Sequence, residues 1–202
     1  MIEFLSKGGV LVIPILLCSV LALAIFAERL IHFARLRSRG AGLADKVVAL
    51  INKGKDQTAH DTAVKSQSPM GQVLAQAMGV KNQDREIIES VITHATDTEV
   101  RKLSSYTQAL ATIGNIAPLL GLLGTVIGMI KAFMVIQQMG GKVNAAVLAG
   151  GIWEAMLTTA LGLAVALPTM VAHSYLLARI EKYEAKLQEG SMAFLKAITA
   201  KQ

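Results

Sequence analysis

Three stretches of this chain carry no Asp, Glu, Lys or Arg: residues 8–27, 103–130 and 155–178, with lengths of 20, 28 and 24. An α-helix rises about 1.5 Å per residue, so about 20 apolar residues cross the hydrocarbon core of a bilayer. Each stretch is long enough, and the sequence predicts an all-α integral membrane protein with three transmembrane helices. Composition supports the same reading. Hydrophobic residues make up 53% of the chain and charged residues 17%, whereas a soluble domain carries roughly 25% charge.

Several other classes fall away. Cys18 is the single cysteine and lies inside the first stretch, which excludes an intrachain disulfide or a cysteine metal cluster. A secretory leader fits poorly, because only Lys7 precedes the first stretch and Glu28-Arg29 follows it in place of a small-residue cleavage site. No Gly-x-Ser-x-Gly or His-Glu-x-x-His motif occurs, and His32, His60, His94 and His173 are isolated. The chain is therefore not expected to be an enzyme or to hold a metal or cofactor. Its net charge of +6 would point to nucleic acid in a soluble domain. In a membrane protein such a surplus marks the flanks of the spans, so no nucleic-acid partner is expected.

Orientation follows from where the 20 Lys and Arg residues fall. Arg29, Arg35, Arg37 and Arg39 outweigh Lys7 across the first span, and Arg101-Lys102 outweigh Lys131 across the second. Both comparisons place 28–102 and the C-terminal tail in the cytoplasm, giving an N-out, C-in topology. The expected segments are an outer N-terminus with span one (1–27), a cytoplasmic helical segment (28–102), span two (103–136), a short periplasmic turn (137–150), span three (151–178) and a cytoplasmic helical tail (179–202).

Within 28–102, Leu43, Val47, Leu50 and Ile51 recur at helical spacing and Gly54 stops the run. Pro69-Met70 opens a second helix with Val73, Leu74, Ala77 and Met78, and the apolar periodicity is weakest over 52–68. A third helix, capped by Asn82 or Asp84, carries Ile87, Ile88, Val91, Ile92, Ala95 and Leu103. No break separates it from span two, so one continuous helix is expected to cross the membrane surface. Leu176, Ile180, Tyr183, Leu187, Phe194 and Ile198 share a face and extend span three inward, with Gly190 a local weakness. That face is expected to pack against the helix preceding span two.

Spans two and three are less greasy than simple anchors. Gly121, Gly124 and Gly128 lie on one side of span two, where small residues let membrane helices approach closely. Gly162 does the same in span three, and Pro118 and Pro168 each remove a backbone donor. Trp153 reads as an interfacial anchor. Glu154 carries the most functional weight, since a charge at a helix centre costs roughly 2.5–3.5 kcal/mol and usually faces protein or a cavity. It lies about 37 Å of helix from Arg179, which also fits a solvated acid at the outer interface. Thr158 shares its helical face, Thr159 lies about 140° away, and Thr125 in span two either joins them or bonds back to its own helix.

Residues 114–131, reading GNIAPLLGLLGTVIGMIK, resemble the second-span signature of the MotA/TolQ/ExbB proton-channel family. Residues 151–169, GIWEAMLTTALGLAVALPT, resemble the third-span signature of its ExbB/TolQ branch. The resemblance covers about 114–178 and is only architectural over 28–102. It implies pore residues at Thr125, Glu154 and Thr159, where helical phase alone favours Thr158; both threonines stay candidates. It further implies a pentamer whose second and third spans surround copies of an ExbD/TolR-like single-span partner bearing a proton-accepting Asp. A TonB-like or TolA-like protein would then transmit force from a bacterial inner membrane. The expected function is an ExbB-like motor subunit for TonB-dependent uptake, with a TolQ-like envelope role or a non-conducting scaffold as alternatives.

Overall fold

The structure is a computed structural model that describes residues 10–40, 42–138 and 145–199. The described residues form seven helices: α1 (Val12–Arg39), α2 (Leu43–Asn52), α3 (Asp56–Lys65), α4 (Pro69–Gly79), α5 (Arg85–Leu103), α6 (Thr107–Gln138) and α7 (Ala145–Thr199). α1, α6 and α7 are each long and apolar enough to cross a membrane. The protein is thus an all-helical membrane protein with three candidate spans. The chain divides into two compact units, one of Met1–Ala27 with Tyr106–Tyr175, the other of Glu28–Ser105 with Leu176–Gln202.

The first unit sorts residues by size rather than polarity. The buried face of α6 is Leu110, Gly114, Ala117, Gly121, Gly124, Gly128 and Ala132, at spacings of three and four. Its outer face exposes Leu119, Leu122, Val126, Ile130 and Phe133. A helix in water would hide the large residues; one in lipid gains nothing by that and gains contact by presenting small residues to a neighbour. α6 and α7 pack antiparallel along this face. A β-carbon on Gly128 would lie 2.9 Å from Cβ of Ala155, and one on Gly151 2.7 Å from Cβ of Ala132. Further along, one on Gly162 would lie 2.6 Å from the Ala117 carbonyl, and one on Gly114 3.0 Å from Met170. Both helices continue through their prolines, with Pro118 half-buried and Pro168 exposed.

The second unit has an ordinary apolar core. α2 ends as its sequence predicts: Gly54 takes φ +73°, the Gly54 N–H donates to Ile51, and the Lys55 N–H donates to Leu50. This is a Schellman stop, which favours glycine at that position. α4 starts at Pro69 with Ser68 as N-cap, whose hydroxyl accepts from the Gly71 N–H at 3.1 Å. Leu43, Val47, Val73, Leu74, Ile88 and Ala95 pack with Leu187 and Phe194 of α7, while Ile180 packs with Leu36 and Leu103. The apolar face at 176–198 therefore does pack against the helix before span two. Each fully buried Leu or Phe contributes about 1.5–3 kcal/mol. Gly190 is no weakness here, since a β-carbon on it would lie 2.4 Å from Met70 and 3.1 Å from Ala44.

The structure departs from the sequence reading at several points. The expected continuous helix from α5 into α6 is broken: α5 ends at Leu103, and Tyr106 takes φ +64° before α6 begins at Thr107. Arg29 is only 5% exposed and donates from Nη1 to the Lys102 carbonyl at 3.4 Å. That carbonyl lies in the last turn of α5, where it also accepts from the Ser105 hydroxyl at 2.8 Å in place of the onward helical bond. Residues 52–68 contain α3, which buries only Ala59 and Ala63. Asp84 occupies the N-cap of α5 without a side-chain hydrogen bond. Of the expected turn at 137–150, residues 139–144 lie outside the described residues, and those on either side are helical.

Candidate functional site

Thr158 and Thr159 of α7 lie on the side that faces α6. Gly121, Gly124 and Gly128 set the distance between the two helices. A β-carbon on Gly121 would meet the backbone of Thr159 at 3.0 Å, and one on Gly124 would overlap the Thr158 side chain. The two helices are therefore nearly in backbone contact where their threonines lie.

Each threonine hydroxyl has a distinct partner. Thr159 donates across the interface to the Gly121 carbonyl at 2.9 Å. In an α-helix that same carbonyl accepts the Thr125 N–H, so Thr159 is joined through one oxygen to the backbone of Thr125. The Thr125 hydroxyl itself donates to its own helix, at the Leu122 carbonyl, 2.6 Å away. Thr158 is 2% exposed and donates to the Ala155 carbonyl at 2.7 Å. Thr125 and Thr159 are half-buried, while Thr158 is enclosed against Gly124. With their protons engaged on carbonyls, the hydroxyls still offer lone pairs as acceptors.

Glu154 lies about 7.5 Å along α7 from Thr159 and is half-buried. It has a partner that sequence reading did not provide. The Lys131 ammonium lies 3.9 Å from Glu154 Oε1, with side-chain exposures of 57% and 33%. In the sequence Lys131 stands out only as a charge flanking the second span. The missing signal was the register of the two helices: setting Gly128 against Ala155 brings Lys131 and Glu154 to one level. Trp153 beside it is 55% exposed.

The arrangement places an acid–base pair at one level and hydroxyl acceptors further along the same helix pair. It supplies charge and hydrogen-bonding capacity along an apolar helix pair. Comparison with known proteins defines the class more closely. Residues 65–189 match the MotA/TolQ/ExbB proton channel family, and the chain belongs to that family.

Its similarity runs to the ExbB type. The chain is 31% identical over 183 residues to biopolymer transport protein exbB1 of Vibrio cholerae, covering 89% of this chain and 80% of the relative. It is 28% identical over 191 residues to an ExbB homolog of Methanothermobacter thermautotrophicus, covering 93% of this chain and 66% of that protein. With biopolymer transport protein ExbB of Pseudomonas putida it shares 43% identity over 95 residues, which is 47% of this chain and 29% of the relative. This chain is an ExbB-like member of a proton channel family.

Proposed function

We propose that the chain is the ExbB-like subunit of a proton-driven motor in a bacterial inner membrane, oriented N-out and C-in with the second unit in the cytoplasm. Five copies surround a single-span partner of the ExbD/TolR kind, with α6 and α7 lining the central space and α1 facing lipid. The observation that carries this reading is the joining of Thr125 and Thr159 through the Gly121 carbonyl, in a chain of this family. These residues and Glu154 are assigned to the proton path, and Thr158 to packing.

The division of labour follows from what these groups can do. One carboxylate and two hydroxyls cannot relay a proton through roughly 30 Å of hydrocarbon. They can hydrate a path and accept hydrogen bonds from a protonated Asp brought in by the partner. When that Asp loses its proton, the hydroxyls can rotate off their carbonyls and donate. One proton falling through 100 mV releases about 2.3 kcal/mol, and a partner whose packing depends on its charge state converts that energy into movement.

The names of the relatives favour biopolymer transport of the ExbB kind, hence TonB-dependent uptake over a Tol-type envelope role. Affinity purification of the full chain in mild detergent, followed by mass identification of what accompanies it, tests the assignment. A small single-span protein with an intramembrane Asp is expected. Recovery of the chain with no such protein, from cells that express one, would contradict the reading.

A further inference from the structure

Lys131 is the only Lys, Arg, Asp or Glu in α6, and Glu154 is the only one in α7 before Arg179. The two nevertheless meet, 3.9 Å apart on facing helices. Their meeting is enforced by packing, because the Gly128–Ala155 and Gly151–Ala132 contacts bracket them. The separation exceeds a hydrogen bond, so the attraction is Coulombic. Both side chains are part-exposed, so the pair orients the carboxylate more than it stabilises the fold.

We propose that Lys131 is the positioning residue of the Glu154 carboxylate. Its ammonium draws the carboxylate toward α6 and shares its negative charge, so a proton arriving there meets a paired acid held at one level of the path. Without the ammonium the carboxylate is free to swing away along α7, and the entrance loses its fixed acceptor. The inference rests on the reading of Glu154 as part of the proton path. Lys131 itself carries no proton across the membrane; it acts through Glu154.

The test uses the full chain with its single-span partner in liposomes, and proton flux under an imposed potential. Lys131→Met is expected to lower flux about tenfold, as for the loss of one Coulombic contact, with unchanged thermal unfolding. Lys131→Arg should restore flux to within about twofold of wild type on the same scale, which a purely structural role would not require if the Met variant unfolds normally. A second readout is the acetylation rate of Lys131 by an N-hydroxysuccinimide ester, followed by peptide mass. That rate should rise several-fold in Glu154→Gln. Wild-type flux in Lys131→Met alongside impaired flux in Glu154→Gln overturns the inference and leaves the proton-path reading standing. An acetylation rate unchanged by Glu154→Gln overturns the pairing itself. Full flux in Glu154→Gln removes the underlying reading and the inference with it.

Discussion

A β-carbon placed on Gly124 would lie 2.1 Å from the Thr158 hydroxyl and 2.5 Å from its Cβ, so no larger residue fits without separating α6 from α7. Gly124→Leu is therefore expected to insert into the membrane but to destabilise the hairpin by about 1–3 kcal/mol, measured as a lower unfolding midpoint in detergent. The threonines behave differently from one another. Thr159→Val removes a cross-helix hydrogen bond worth about 1 kcal/mol and leaves the Gly121 carbonyl its helical partner, so folding should survive while energised function is lost. Thr125→Val should do the same. Thr158→Val, buried and bonded only to its own turn, should be mild in both respects. Growth on a substrate that requires the motor, with the amount of folded protein as control, separates the three variants. Severe loss in Thr158→Val with full function in Thr159→Val would reverse their roles.

At the scale of elements, the apolar spans and the helices α2, α4 and α5 are legible because size and hydrophobicity recur at helical spacing. Leu176, Ile180, Leu187 and Phe194 likewise declare the buried face of α7, and Gly54 its neighbour's stop. α3 escapes because its buried residues are Ala59 and Ala63, whose small side chains give little contrast with the polar residues around them. The break before α6 escapes for the opposite reason: Leu103 and Leu110, both buried, keep helical phase across it, and no Gly or Pro marks Tyr106. The threonines and Glu154 were visible as polar residues in apolar spans. Which threonine crosses to the other helix depended on register, which one sequence does not contain.

Tyr183 offers a check on the packing of the second unit. Burial raises its pKa above the usual 10, and the nearby Glu99 charge adds to the effect. A phenol with a raised folded pKa stabilises the fold fully below its unfolded value, and that contribution is lost as pH rises through the folded value. Thermal unfolding followed upward from pH 9 should therefore show a decline beginning near pH 10 that is smaller in Tyr183→Phe. An identical decline in both proteins would mean that Tyr183 of α7 is not enclosed against Leu36 and Leu103.

At the scale of the whole molecule, α6 turns large apolar residues outward and keeps Asn115 exposed as well. An amide in a span needs a polar partner that lipid does not supply. The proposed assembly of five copies around a partner would provide protein or water there, and native mass measurement in detergent should then give a pentamer of the chain. A population of monomers alone would contradict that arrangement. The central claim is that protons pass through the assembled complex along Thr125, Glu154 and Thr159. The direct measurement is proton flux into liposomes holding the chain with its single-span partner, compared with a variant carrying Thr125→Val, Glu154→Ala and Thr159→Val together. The account predicts flux that requires the partner and falls to the level of empty liposomes in the triple variant, with the oligomer intact. Undiminished flux in the triple variant would contradict it.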